Sequence, residues 1–250
     1  MHFKTKALIL KNRSVEGKNT YITAYTLNFG KVVYLAKGLN RNEARLKSAL
    51  TPFSYSQIIA VPSSGEPVIT GAELLNDFYP RKSSLPQFVA FYLVDLIDNL
   101  IEERISDRRI LLLLVSALSL IKKNPDNRTY LLILTYFPLK LAFYLGYFPN
   151  LSVSGKKTTK NFSFNFKTGL SQSLVNVNSK NKKSVVIDQK ELNFLRLIQK
   201  KSFSYLKKTT IKEDGLKKIF EFSNNYLEYS SGVSLPKSYL PVKSLLLKNN

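Results

Sequence analysis

In the first 80 residues the apolar positions come in short runs with a two-residue period. Residues 4–10 form an apolar segment. Residues 21–27 set Tyr21, Thr23 and Tyr25 against Ile22, Ala24 and Thr26, the alternation of a half-buried strand. Asn28, Phe29 and Gly30 make a turn in which the glycine can take a positive φ, and the chain resumes at 31–36, so residues 20–37 read as a hairpin. A polar loop is expected at 38–47, followed by two further strands at 53–61 and 67–74. Five short strands in so few residues predict a small closed barrel of the OB type, an architecture that binds oligonucleotides on a strand face and its flanking loops.

From residue 84 the period lengthens to that of helices. Ser84 with Pro86 starts one that ends near Glu103. Ser106 or Asp107 caps a second over 108–123, apolar on almost every side and therefore expected to be central. After the break at Asn124, Pro125 and Asp126, a third helix over 129–145 carries Pro138 and stops at Gly146. Phe91, Leu112, Leu113, Phe137 and Phe143 are the expected core of this bundle. Residues 149–184 interrupt the pattern: Phe162, Phe164 and Phe166 alternate with polar residues before a hairpin signal at Thr168 and Gly169, and a Lys, Asn and Ser stretch follows at 176–184. Helices return at 188–201 and 213–229, and the tail after Gly232, with Pro236 and Pro241, reads as an irregular arm ending in a short helix. The fold class is thus α+β: a β-barrel domain over 1–80, and a helical domain over 81–250 with a small hairpin insert at 149–184.

Charge changes this picture from a fold to a kind of partner. The 250 residues carry 38 Lys and Arg against 17 Asp and Glu, a formal charge of +21. Residues 1–80 hold 10 basic and 5 acidic side chains, 81–150 hold 9 and 6, and 151–250 hold 19 and 6. A Lys- and Asn-rich composition explains part of the excess but not the depletion of acids, and a polyanion, above all a nucleic acid, is the expected partner. With no cysteine and one histidine, His2, the sequence has no thiolate chemistry, Cys-ligated zinc or His-rich metal site. Asp95 with Asp98, and Glu102 with Glu103, read as helix-surface residues, so no catalytic residues are assigned. The longest apolar run, 110–121, is too short to span a bilayer, and the start of the chain lacks the pattern of a secretory signal; a cytoplasmic protein is expected.

The expected nucleic-acid contacts follow from charge and rings. Lys37, Arg41, Arg45 and Lys47 place four cations within eleven residues, opposed only by Glu43, and Lys6, Arg13 and Lys31 extend the same field. Tyr21, Tyr25, Tyr34, Phe29 and Phe53 are divided between filling the barrel and stacking on bases; Tyr25 and Phe29 are the two expected near the ligand. Lysines 180, 182, 183, 200, 201, 207, 208, 217 and 218 supply much of the C-terminal excess and read equally as DNA contacts or as a solvated face.

Several motifs, in order and spacing, resemble the RecO recombination mediators: Lys4-Thr5-Lys6-Ala7-Leu8-Ile9-Leu10, Tyr25-Thr26, Phe29-Gly30-Lys31, Leu35-Ala36-Lys37-Gly38, Arg45-Leu46-Lys47-Ser48-Ala49-Leu50 and Pro52-Phe53. Leu145-Gly146-Tyr147-Phe148-Pro149-Asn150-Leu151, and a closing Tyr226-Leu227-Glu228-Tyr229 with Pro236-Lys237-Ser238 and Lys243-Ser244, continue the match over nearly the whole chain. The resemblance implies an N-terminal OB-fold and a helical domain. It also implies a non-enzymatic DNA repair protein that binds single- and double-stranded DNA and anneals complementary strands. With RecR, and in some settings RecF, such a protein helps RecA load onto strands coated by single-stranded-DNA-binding protein, in the nucleoid-bearing cytoplasm. It further implies an apolar pocket for the acidic, Phe-ended tail of that coat protein, for which Arg104, Arg108 and Arg109 are the expected rim. Many relatives carry a four-cysteine zinc site after the Gly-Tyr segment; here Leu151-Ser152-Val153-Ser154-Gly155 and Gly169-Leu170-Ser171-Gln172-Ser173 stand there, so the insert is expected to hold by packing of its phenylalanines, without metal or other cofactor. Two other classes fit the residues less fully: an OB-fold RNA-binding or ribosome-associated factor without annealing activity, and a metal-dependent nuclease.

Overall fold

The computed structural model of the chain describes residues 2–15, 19–39, 44–80, 84–123, 125–152, 161–167, 169–172 and 184–247. Two compact units divide it, Met1–Asn124 with Pro236–Val242, and Pro125–Leu235 with Lys243–Asn250.

In the first unit β1 (Phe3–Val15), β2 (Asn19–Thr26), β3 (Gly30–Lys37), β4 (Ser54–Val61) and β5 (Val68–Asp77) close a barrel in the order β1-β2-β3-β5-β4, with α1 (Ala44–Ala49) between β3 and β4. This is the OB arrangement. Period-2 alternation sends Ala7, Ile9, Ile22, Ala24, Tyr34, Ala36, Ile58 and Ala60 inward, where they form one cluster. β1 runs further than its apolar segment because its ladder slips at Leu10: Ile9 faces Ala24, yet Lys11 faces Thr23. The bulge reverses the parity of the strand, so that Arg13 faces Tyr21 where Ile9 faces Ala24, and all of residues 11–15 are exposed. The expected loop at 38–47 gives way to α1 from Ala44. That helix is too short to show a period, and it exists because Leu46 packs on the barrel core while Ala49 and Leu50 are fully buried.

α2 (Ser84–Leu100) and α3 (Arg108–Lys122) belong to the same unit. Asp107 caps α3 by accepting the Arg109 N–H at 2.8 Å. Two expected core residues are corrected here. Leu112 is 51% exposed, because the buried positions of α3 (Ile110, Leu111, Leu114, Ala117, Leu118 and Ile121) form a single stripe that a leucine-rich run disguises. Phe91 is 38% exposed and leans edge-on against Phe53 with ring centroids 4.9 Å apart. α3 is therefore amphipathic, not central.

Between these helices the chain returns to the barrel. The Arg104 N–H donates to the Lys31 carbonyl at 2.9 Å, and Glu103 bridges Lys31 in parallel, pairing the end of β3 that β5 leaves open; β5 meets β3 only at Leu35 and Val68. Gly30, at φ +68°, permits this approach, since a Cβ there would stand 2.1 Å from the Ile105 carbonyl oxygen.

In the second unit α4 (Asn127–Tyr144), capped by Asp126, is buried over most of its length, Pro138 included. It is the helix that fills the place expected of α3. α5 (Gln189–Lys200) opens with a capping box between Asp188 and Glu191, α6 (Phe203–Leu206) is a single turn, and α7 (Glu213–Ser231) ends at Gly232 in the left-handed region. α8 (Tyr239–Leu247), whose residues up to Val242 belong to the first unit, is the short helix expected in the tail. The insert gains a third strand: β6 (Asn161–Asn165) pairs with β7 (Gly169–Gln172) on one side and with β8 (Ser184–Asp188) on the other. Phe162, Phe164 and Phe166 are buried. Phe164 meets Phe222 and Tyr226 with centroids at 5.1 and 5.7 Å, Phe166 meets Tyr226 and Tyr229 at 5.7 and 5.6 Å, and Phe222 stacks on Tyr226 at 5.9 Å. A chain without cysteine does not fit a four-cysteine zinc site, and five packed rings join β6 and the residue after it to α7.

Two stability outcomes follow. Gly30→Ala should destabilise the protein by more than Gly38→Ala in urea unfolding: both pay a left-handed backbone of about 1–2 kcal/mol, but a Cβ at Gly38 (φ +71°) meets nothing within 4 Å. Phe164→Ala should lower stability by about 3–5 kcal/mol, read as an earlier urea midpoint.

Candidate nucleic-acid interface

One open part of the barrel surface, among the described residues, is the outer face of β1, β2 and β3 at the end where β2 begins. Register places Val15, Asn19 and Lys37 in one cross-strand row and Arg13, Tyr21 and Leu35 in the next. The Arg13 guanidinium carbon lies 5.9 Å from the centre of the Tyr21 ring. Arg13, Val15 and Lys37 are exposed, Tyr21 and Leu35 partly so. Beside Leu35, whose N–H donates to the Pro67 carbonyl at 2.9 Å, runs the β4–β5 loop, stiffened where Ser63 Oγ donates to the Glu66 carbonyl at 2.6 Å. Cation, ring and apolar strip together offer what a single strand needs: a charge for the phosphate and a face for the base.

The other end of the same face is closed. Tyr25 shares the parity of Tyr21 but is fully buried; its hydroxyl accepts the Asp107 N–H at 3.2 Å and lies 3.4 Å from the carbonyls of Ile105 and Asp107. Burial pushes its phenol pKa upward. The expectation that Tyr25 stacks on a base is corrected, because its ring anchors the 103–107 segment and has no face to offer. Lys31 is likewise withdrawn: its side chain is 12% exposed and its ammonium lies 3.6 Å from an Asp98 carboxylate oxygen, the carboxylate that also pairs with Lys11.

The remaining predicted residues fall apart in space. Phe29 is 41% exposed at the tip of the β2–β3 hairpin, edge-on to Phe3 at 5.2 Å. It stands at the opposite end of β3 from Lys37, about 27 Å away along an extended chain at ~3.4 Å per residue. Lys6 is exposed at that same far end, where its carbonyl accepts the Leu27 N–H. Lys47 is exposed on α1, Arg45 lies in that helix, and Arg41 lies outside the described residues. Tyr21 is the ring that reaches this face; strand alternation gives it the same parity as Tyr25 and does not separate the two.

Arg104, Arg108 and Arg109 lie together around the start of α3, in company with the exposed Ile105 and Leu112. Arg109 is engaged by Asp107 at 2.7 Å, which holds that carboxyl below the usual range. Arg108 stands one helical turn before Leu112.

Comparison with known proteins agrees in both parts of the chain. Residues 1–78 match the family described as Recombination protein O N terminal, and residues 87–239 match Recombination protein O C terminal. The chain is 27% identical over 234 residues to the DNA repair protein RecO of Caldanaerobacter subterraneus subsp. tengcongensis, covering 90% of this chain and 93% of that one. It is 29% identical over 220 residues to RecO of a Thermoanaerobacter species, with 85% of each covered, and 30% identical over 173 residues to that of Alkaliphilus metalliredigens, with 68% and 70% covered.

The two tyrosines should separate in experiment. Tyr21→Ala should weaken single-strand binding by roughly 5- to 150-fold, the ~1–3 kcal/mol of a lost stack, with unfolding unchanged. Tyr25→Phe should leave binding intact and lower stability by about 1–3 kcal/mol, the cost of a buried N–H without its partner.

Proposed function

The chain belongs to the RecO family of DNA repair proteins, and from that premise we infer that it is a recombination mediator without covalent chemistry. It binds single- and double-stranded DNA, brings complementary strands together, and with RecR assists RecA onto strands coated by single-stranded-DNA-binding protein. The observation that carries the reading is the open row of Arg13, Tyr21 and Leu35, with Lys37 in the adjacent row, on an OB barrel in a chain of charge +21. Two polyanions repel, and a cationic surface lowers the work of holding them together while bases pair.

The sites follow in the same reading. Lys37, Arg41, Arg45 and Lys47 track the backbone beyond the end of β3, with Arg13 and Lys6 as further cations. The acidic tail of the coat protein takes the start of α3, where Arg108 faces its carboxylates and the exposed Leu112 and Ile105 receive its terminal ring. Arg104 completes the rim, and Arg109, held by Asp107, orients it. No helix among the described residues is long and apolar enough to cross a membrane, in keeping with a protein that works on DNA in the cytoplasm.

Reversal of Lys37, Arg41, Arg45 and Lys47 to Glu should abolish most binding to a single strand and flatten its salt dependence by about 3 in the log–log slope, ~0.7 for each lost phosphate contact. Fluorescence anisotropy across a salt series reads both, and an unchanged slope removes the 37–47 segment from the interface. Leu112→Asp should weaken binding of a peptide copying the acidic tail at least about tenfold, one ~1.4 kcal/mol step, without altering DNA affinity. A wild-type protein that neither anneals coated strands nor binds that peptide would overturn the mediator reading.

A further inference from the structure

The second unit carries cations that the family match does not assign and that its geometry sorts into two sets. On α7 the lysines are neutralised: Lys217 lies 3.4 Å from Glu213 and Lys218 lies 2.8 Å from Glu191. On α8, Lys243 lies 2.8 Å from Glu221. Residues 200–212 are different. They contain Lys200, Lys201, Lys207, Lys208 and Lys212 and no acidic residue, and all five lysines are exposed. None of the five has a carboxylate within 4.0 Å among the described residues. Asp126 feels one of them: its pKa is held low first by the Thr129 hydrogen bonds and, less, by Lys207 and Arg128.

This segment is an ordered scaffold. Phe203 packs edge-on against Tyr136 at 5.6 Å, and Leu206 and Ile211 are buried. Arg128 donates to the carbonyls of Ile211 and Thr209 at 2.8 and 3.0 Å, and Lys140 donates to those of Ile198 and Gln199 at 3.1 and 2.9 Å. The inward face is thus clamped at both ends by buried or half-buried cations, which add to the field that the outward lysines feel. Lys200 and Lys201 also suit the C-terminal dipole of α5, whereas Lys207, Lys208 and Lys212 have no such local reason to be there. Amid these cations Tyr205 is 47% exposed, with the Lys201 ammonium 5.0 Å from its ring centre.

We propose that the α5–α6 segment, centred on Tyr205 with Lys201, Lys207 and Lys208, is a second single-strand DNA site, separate from the barrel face. A clustered, unpaired set of ammonium groups repels itself, and a polyphosphate backbone relieves that repulsion while releasing its own counterions. The ring supplies a stacking face that any base can use, so the site takes a single strand without sequence preference. An acidic peptide would satisfy the charge but leave the ring unused, and a lipid surface would need more apolar exposure than this segment offers. The proposal rests on the DNA-binding reading above and gives the second strand its place.

The test uses the full-length protein held on an immobilised oligothymidylate, with capture of a second, labelled oligothymidylate that cannot pair with the first. Wild type should capture it. The triple variant Lys201→Gln, Lys207→Gln, Lys208→Gln should retain the first strand, capture the second at least about tenfold more weakly, and lose about 2 in the salt slope of that capture, ~0.7 per contact. Tyr205→Ala should weaken capture at least fivefold, and Tyr205→Phe should restore it. Wild-type capture by the triple variant overturns the second site and leaves the mediator reading standing, whereas a wild type that binds no strand at all overturns both. Variants that lose only binding to phosphatidylglycerol vesicles, with DNA capture unchanged, assign the segment to a lipid surface and overturn the proposal.

Discussion

The carbonyl of Ile105 occupies the space that a side chain on residue 30 would need, and the outer surface of the barrel is divided by that contact. Because glycine stands there, the segment between α2 and α3 lies against the end of β3 and donates the Arg104 N–H to the Lys31 carbonyl. Tyr25 is then roofed over, and Asp98 draws Lys11 and Lys31 out of the surface field. What stays open is the far end of the sheet, where Arg13 crosses Tyr21. The location of the open row is thus a by-product of how the helices are attached, more than of where the sequence puts its rings.

Net charge overstates what a polymer meets. Lys31, Lys140 and Arg128 are spent on carbonyls inside their own units, and Lys11, Lys217, Lys218 and Lys243 on carboxylates. Among the cations left outward in the described residues are Arg13 and Lys37 on the barrel and the five lysines of residues 200–212 in the second unit. Exposed pairs are worth little to folding, so the paired lysines matter chiefly because their charge is already answered within the chain.

The legible parts of the fold were those with a long period or a capping residue. The barrel strands, α2, α4 and α7 announced themselves, as did the cap at Asp107, whereas the sequence read Asp126 as part of a break and Gly232 as the start of the tail, and the structure makes them the caps of α4 and α7. Elements of a few residues did not: α1, α6 and β8 are held by tertiary contacts of Leu46, Leu206 and Ile187 and have no room for a pattern. Leucine-rich composition made α3 look central when its buried residues form one stripe. The site was harder to read than the fold for a specific reason. Tyr21 and Tyr25 have the same strand parity, and only a segment some eighty residues later decides which of them reaches solvent. The bulge at Leu10 similarly turns Arg13 outward, a local slip that alternation cannot foretell.

The aromatic cluster beneath the insert has a consequence for when this protein is available. A zinc–thiolate insert loses its ligands to peroxide, because thiolates oxidise up the ladder from sulfenic acid, and oxidants are also a cause of the strand damage that repair proteins answer. Phe164, Phe166, Phe222, Tyr226 and Tyr229 ask for neither a metal supply nor a reduced sulfur. Their cohesion comes from excluded water and ring geometry, so the packing of β6 against α7 does not depend on the oxidation state of a sulfur.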